Sequence, residues 1–368
     1  MTFTPSGSTS RPATFPRRPR TSDRPGGEPP RLRRSLPGMD APHLPDLPPV
    51  ALLPHPQDAE GNPRRVGVEV ECGGLTEERL AGIATQVLGG SARRTAGYEF
   101  AVTDTSIGDL QVMLDTALKD HAQTELVRRG LDMGRGVIPV EFVTDPILPT
   151  DLVHVDAFCR ALRAAGATGT RDGAFLGFGV HLNVTAAGLG VDGVLPTLRA
   201  FALMEAWLRR ADPIDASRRI LPFVDPYPAR FVDALAAPDA AGWDMKSLID
   251  TYLRLTPSRN RGLDMLPLIR HLAPDRVQNE VDGASSIKAR PAYHYRLPDC
   301  RIDDPDWSVT REWNRWVRVE RVAADPAALD ALADGWRKYR SRRLPFGRGN
   351  WALTVSDILG IPQGLTAS

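Results

Sequence analysis

The clearest pattern in the chain is Val66-Gly67-Val68-Glu69-Val70-Glu71-Cys72, where apolar residues face one way and carboxylates the other. A period of two over this length predicts a strand with one buried face and one acidic face. From Thr76 to Leu88 the period becomes helical, with Thr76 as N-cap and Glu77 and Glu78 in the first turn. Phe100 to Val102 and Leu110 to Leu114 read as short strands around a turn at Thr105 to Gly108. Gly136 to Val143 reads as a strand halted at Asp145-Pro146, because proline cannot donate to a ladder. Asp151 to Ala165 predicts a helix with Leu152, Val155, Phe158, Cys159 and Leu162 on one face. Leu176 to Val184 predicts a strand, and Asp192 is placed as the cap of a long helix through Arg210 that is apolar nearly all round. Trp243 to Arg254 and Leu263 to His271 predict helices, and Tyr293 to Leu297 predicts a strand. Asp304-Pro305 and Asp325-Pro326 each set a capping carboxylate before a proline at the first helical position. The first of these helices carries Val309, Trp313, Trp316 and Val317 along one stripe; the second ends near Arg342. Strands and helices follow one another without βαβ rhythm, which predicts an α+β fold with an antiparallel sheet.

Composition divides the chain. Residues 1–60 are dominated by Pro, Arg, Gly and Ser, as in Arg17-Arg18-Pro19-Arg20, with too few large apolar groups to offset the entropy of ordering. This segment reads as a disordered leader, either a basic arm for an acidic partner or a solvated tail, with Met39 an alternative start. A domain at 61–345 and a C-terminal extension at 346–368 complete the expected division. The formal net charge of +1 argues against non-specific binding to nucleic acid or to an anionic membrane. Cys72, Cys159 and Cys300 are too far apart for a zinc pattern or a disulfide framework. No apolar run reaches spanning length and no secretory signal opens the chain, so a cytoplasmic protein is expected.

Four constellations could carry chemistry. Glu69 and Glu71 share one strand face, where two anions repel unless a cation sits between them; a magnesium site on a sheet would look like this. Glu141 lies among apolar residues in Val140-Glu141-Phe142-Val143-Thr144, and buried Glu is rare unless paired or bound to metal. In Gly177-Phe178-Gly179-Val180-His181-Leu182-Asn183-Val184, His181 and Asn183 share a face with Gly179, which lets a ligand approach the backbone. In Tyr293-His294-Tyr295-Arg296, His294 and Arg296 share a face, and Arg259, Arg261 and Arg290 add cations suited to phosphate oxygens. Each has a plainer reading: a solvated strand face, an edge carboxylate, a satisfied polar histidine, surface ion pairs. Together they suit a reaction between anions, in which cations offset the repulsion between a carboxylate and a terminal phosphate. Neither a P-loop nor a Gly-x-Gly-x-x-Gly element is present.

The order of these elements resembles the amidoligase family, relatives of glutamine synthetase and γ-glutamylcysteine ligase. Gly67-Val68-Glu69-Val70-Glu71 matches its Gly-x-Glu-x-Glu strand, Tyr98 to Ser106 an aromatic followed by Asp-x-Ser, and Glu141 to Pro146 its Glu-hydrophobic-x-x-Pro element. Gly179 to Asn183 matches its Gly-x-His-x-Asn strand, and His294-Tyr295-Arg296 stands where the family usually has Glu-Phe-Arg. The resemblance implies a curved, mainly antiparallel sheet with helices on its convex face, like the catalytic domain of glutamine synthetase. It implies ATP and magnesium as cofactors, and small-molecule or peptide carboxylate and amine substrates joined through an acyl phosphate. Carried over, Glu69, Glu71, Glu141 and His181 would hold metal. Arg296 would hold phosphate, with His294, Asn183, Arg259, Arg261 and Arg290 around the nucleotide. Asp104 and Ser106 would line the site. A non-catalytic nucleotide- or peptide-binding member of the fold and a metal-dependent phosphoester hydrolase are the competing readings.

Overall fold

In the computed structural model, which describes residues 48–114, 139–170, 177–216, 218, 224–341 and 350–363, the alternating segment forms strand β1 (Val66–Cys72). Seven more strands follow: β2 (Ser91–Ala96), β3 (Glu99–Thr105), β4 (Gly108–Leu114), β5 (Val140–Thr144), β6 (Val180–Thr185), β7 (Leu263–Asp264) and β8 (Ala292–Tyr295). They form one sheet in the order β2-β3-β4-β5-β1-β6-β8-β7, antiparallel at every pairing. The helices are α1 (Glu77–Leu88), α2 (Leu152–Ala164), α3 (Val191–Ala211), α4 (Ala229–Leu235), α5 (Met245–Leu255), α6 (Leu266–Leu272), α7 (Pro274–Glu280), α8 (Val309–Ala323), α9 (Pro326–Ser341) and α10 (Trp351–Leu359). The α+β class with an antiparallel sheet is therefore as expected. Among the described residues no helix is long and apolar enough to cross a membrane.

The two faces of the sheet divide as the alternation requires. Val66, Val68, Val70 and Cys72 are fully buried, as are Phe142, Val180, Leu182 and Val184 on the flanking strands. Helices cover this face. Phe142 of β5 meets Phe158 of α2 with ring centroids 4.9 Å apart. Tyr293 and Tyr295 of β8 stack on Trp316 of α8 at 5.3 and 5.4 Å. Phe201 of α3 meets Tyr295 at 6.0 Å. Burying such aromatic surface is the main favourable term of the fold, at about 25 cal/mol per Å². The opposite face keeps the polar residues.

Several boundaries shift for local reasons. Thr76 caps α1 as expected, accepting from the Arg79 amide at 3.2 Å, and Asp325 caps α9 by accepting from the Ala327 and Ala328 amides. Asp304-Pro305 opens no helix: the Asp304 carboxylate takes the Asp306 amide in a turn, and Ser308 caps α8 through the Arg311 amide. Asp192 lies inside the first turn of α3, whose N-cap is Gly190. The segment expected to be helical from Leu263 begins as β7 and turns helical only at Leu266, and β8 stops at Tyr295 rather than Leu297. Strand β2 was not expected; every residue of it is exposed, and its partner β3 holds it at the sheet edge. The first residues expected in β5 (136–138) and β6 (Leu176), and Arg342, lie outside the described residues.

Packing continues past both bounds of the expected domain. Residues 48–60, grouped by composition with the leader, dock on α8: Leu53 is buried, the Ala51 amide donates to Asn314 at 2.8 Å, and the Trp313 indole donates to the Ala51 carbonyl at 2.8 Å. Helix α10, placed in a separate extension, packs on α3, with the Trp351 indole donating to the Leu203 carbonyl at 2.8 Å. A buried ion pair ties the start of β1 to α8. Both Arg64 Nη atoms reach the Glu320 carboxylate at 2.7 Å, Arg64 Nε donates to the Thr185 carbonyl at 2.7 Å, and the Trp316 indole completes Glu320 at 2.7 Å.

Two outcomes are expected from this packing. A chain beginning at residue 61 should unfold several degrees below one beginning at residue 48, in thermal melts of both; equal midpoints would show the docking to be without weight. Arg64→Ala strands the Glu320 carboxylate in the core and should cost about 3–5 kcal/mol in denaturant unfolding.

Candidate functional site

Antiparallel register, combined with a period of two, brings the polar residues of separate strands into rows on the face away from the helices. Glu71 of β1 lies directly opposite Glu141 of β5. Glu69 lies opposite His181 of β6. Asn183 lies opposite His294 of β8, and His294 opposite Asp264 of β7. These groups are largely shielded from water: His181 and His294 are each 6% exposed and Asn183 8%.

Glu69 is the most heavily supported. Its Oε1 accepts from Asn183 Nδ2 at 2.7 Å and from Arg290 Nη1 at 3.0 Å, and Arg290 also donates to Asn183 Oδ1 at 2.6 Å. Its Oε2 lies 3.0 Å from His181 Nδ1. Burial works against ionising Glu69, but the His181 hydrogen bond and the neighbouring His294, His181 and Arg290 outweigh it and hold the carboxyl well below its usual range. Burial lowers His181 to about 3, assisted by Arg296 and His294 against the Glu69 hydrogen bond. His181 is thus neutral near pH 7. A carboxylate can only accept, so its partners assign the proton to Nδ1 and leave a lone pair on Nε2.

That lone pair faces Glu71 Oε1 at 3.6 Å, while Glu71 Oε2 accepts from the Gly179 amide at 2.8 Å. Two acceptors turned toward each other beyond hydrogen-bond reach form a gap suited to a cation. Glu141 borders it: donor atoms of Glu71, Glu141 and His181 all lie within 4.8 Å of one another. A second set, Glu69, His181 and His294, has the same spacing. The residues present therefore fit divalent ions, in donor type and in the orientation of their lone pairs.

Gly179 is required here by close approach. A Cβ at this position would stand 2.6 Å from Arg218 Nη2 and 3.0 Å from His181 Nε2. Arg218, which sequence reasoning missed, is buried over Gly177 and Gly179 on the face that carries His181. It donates to the Leu297 and Pro298 carbonyls at 2.9 and 2.6 Å, to the Arg296 carbonyl at 2.8 Å, and to Asp299 Oδ1 at 3.2 Å. Asp264, also missed, is fully buried beside His294. No local pattern marks either residue, because the partner that ties each to the site, His294 for Asp264 and Asp299 for Arg218, lies 30 or 81 residues away.

The other expected residues divide. The register that pairs Leu182 with Tyr295 sets Arg296 across from His181, on the carboxylate face, and its Nη1 donates to the Arg259 carbonyl at 3.0 Å. Burial lowers its pKa, with Asp264 and Glu71 supporting the charge and Arg218 and Arg259 opposing it. Arg290 joins the cluster, and Arg259 Nε stands 3.7 Å from Asp264. Arg261 is committed elsewhere, to the Thr256 hydroxyl and the Pro226 carbonyl at 2.8 Å each. Asp104 and Ser106 are exposed at the β3–β4 turn, where Asp104 takes a positive φ of 59°. The Asp104 amide donates there to Asp109, so these two residues shape a turn and no described bond joins them to the cluster.

The profile of a family described as "Putative amidoligase enzyme" matches residues 62–318. No curated protein and no solved structure matches the chain.

Glu141→Gln keeps the shape of the site and relieves repulsion from Glu71 across the strand pair. Its melting temperature in EDTA should equal that of the wild type or exceed it by about a degree or two. The rise in melting temperature on adding millimolar Mg²⁺ or Mn²⁺ should shrink. A rise as large as in the wild type would remove Glu141 from the metal set.

Proposed function

As the chain belongs to the amidoligase family, we propose that it is an ATP-dependent ligase that joins a carboxylate to an amine through an acyl phosphate. The observation that carries this reading is the pair of three-donor sets on one sheet face, each with a histidine lone pair turned toward a carboxylate. The fold reads as glutamine synthetase-like, with the carboxylate face as its concave side. The substrates would be small-molecule or peptide carboxylates and amines, and the compartment cytoplasmic, which fits three buried free cysteines.

In this reading the substrate carboxylate attacks the terminal phosphorus of ATP and ADP leaves. The amine nitrogen then attacks the acyl carbon, loses a proton, and inorganic phosphate leaves. Divalent ions, when bound, neutralise the oxygens of the phosphates as charge moves between them. Glu69, Glu71, Glu141 and His181 would hold those ions. The Gly179 amide and Asn183 keep Glu71 and Glu69 in fixed orientations, so little reorganisation accompanies binding. Arg296 is half-buried, and its Nε is shielded from water with no hydrogen-bond partner among the described residues. Such a donor, held ready by the Arg259 carbonyl, suits a phosphate oxygen that gains charge during transfer. Arg290, one-third exposed, stands at the rim, where it can leave Asn183 for a phosphate or a substrate carboxylate.

Screening carboxylate and amine pairs for ADP release tests the reading. ADP release that requires both substrates supports a ligase. Phosphoester cleavage without an amine would make the protein a hydrolase, and nucleotide binding without turnover a non-catalytic member of the fold. With an active pair in hand, Arg296→Lys keeps the charge but loses the planar fork. It should lower kcat about 10²–10³-fold while changing ATP affinity far less. A silent Arg296→Lys would reduce this residue to a structural ion-pair partner.

A further inference from the structure

Asp264 has no place in the reading above, yet it is fully buried on the two-residue edge strand β7, in register with His294. Its Oδ1 accepts from the Leu266 amide at 2.9 Å, which fixes the carboxylate at the start of α6. Its Oδ2 stands 3.4 Å from His294 Nδ1. The other ring nitrogen, Nε2, is buried and has no hydrogen-bond partner among the described residues. It points toward Glu69 Oε2 at 4.0 Å. The His181 ring meets the His294 ring edge-on at 5.2 Å, which leaves His294 little room to turn.

These contacts fix a tautomer. A carboxylate accepts and cannot donate, so Asp264 holds the His294 proton on Nδ1. Nε2 then carries a lone pair in a dry site, facing a second acceptor. An orphan acceptor opposite a carboxylate is costly unless a cation lies between them. His181 stands in both donor sets, but its one lone pair faces Glu71; His294 stands in the Glu69 set alone. Carboxylate oxygen suits both Mg²⁺ and Mn²⁺, and an imidazole nitrogen adds more to the binding of Mn²⁺ and later first-row ions than to that of Mg²⁺.

We propose that Asp264 is a positioning residue that aims His294 Nε2 at a cation held with Glu69, and that this nitrogen makes the position prefer Mn²⁺ or a similar transition ion over Mg²⁺. This rests on the metal-dependent reading of the site but adds a division of labour to it. The set containing Glu71 and Glu141 is richer in oxygen, whereas Glu69 and His294 supply one nitrogen for one carboxylate, so the two positions favour different ions.

The test is titration of the purified full chain with Mn²⁺ and with Mg²⁺ by calorimetry, paired with pulsed electron paramagnetic resonance of the bound Mn²⁺. The wild type should bind Mn²⁺ at least about tenfold more tightly than Mg²⁺ and show nitrogen hyperfine coupling from directly bound imidazole. His294→Glu should narrow that preference and weaken the nitrogen coupling. Asp264→Asn keeps the shape and removes the charge that holds the Nδ1 proton. It should lower Mn²⁺ affinity about tenfold and leave Mg²⁺ affinity unchanged. Should His294→Glu fail to fold, His294→Gln removes the nitrogen ligand with less added charge and should lose the same coupling. Equal affinity for the two ions, with nitrogen coupling unaltered in the His294 and Asp264 variants, would overturn the proposal and leave the ligase reading standing. A wild type that binds neither ion would overturn both.

Discussion

Repulsion between carboxylates on one sheet face is the constraint on which the rest of this structure turns. β1 sets Glu69 and Glu71 side by side, and β5 sets Glu141 directly across from Glu71. Left alone in a shielded site, such a group of anions would take up protons or splay apart. Here Glu69 and Glu71 are given specific restraints. Asn183 and Arg290 hold one oxygen of Glu69 and His181 the other, and the Gly179 amide holds Glu71. The restraints are local and directional, and they leave lone pairs of two histidines aimed into the same region. A fold that turns carboxylates and histidine lone pairs toward one region is prepared for an incoming cation.

At the Gly179 end of that face the chain uses buried arginines to hold the backbone of the site. Arg218 gathers the carbonyls of residues 296–298 and the carboxylate of Asp299. Asp299 passes the link to Arg301 at 3.5 Å, Arg301 to Asp212 at 2.5 Å, and Arg315 joins Asp212 to Glu312. Burial raises Glu312 to about 7, and the charge of Asp212 adds to burial against the attraction of Arg315. Because Arg315 already has Asp212, Glu312 is the acid in the group that most readily keeps its proton. The chain of contacts runs from the segment after α3, through residues 296–301 just past β8, into α8, so the segment that carries His294 and Arg296 is anchored at its C-terminal end.

How much of this could be read from sequence follows the range of the interactions. β1 was legible because alternation is a local property, and the same alternation put Glu69, Glu71, His181 and Asn183 on faces that pairing later joined. The caps at Thr76 and Asp325 were legible because donor and acceptor lie within three residues. Asp304 shows the limit, since its carboxylate had a nearer amide in a turn and the helix started at Ser308. β2 was invisible, because Ser-Ala-Arg-Arg-Thr-Ala carries no apolar period and forms a strand only through its pairing with β3. Arg64, Arg218 and Asp264 were missed for one common reason. Each owes its place to a partner far along the chain, and a lone charged residue in sequence carries no sign of burial.

The central position of β1 also bears on how this protein can fail. Its inward residues are core and its outward residues are the candidate site, and both neighbours present their own polar groups only in one register. A slip of one residue against β5 or β6 would drive Glu69 and Glu71 into the space of Val68 and Val70, at the expense of the core as well as the site. Misassembled but still compact molecules are therefore hard to form, because the error that scrambles the chemistry also dissolves the packing. Preparations of this chain should behave as a single population in which folded and competent molecules are the same molecules, so that specific activity reports on ligand occupancy rather than on a hidden inactive fraction.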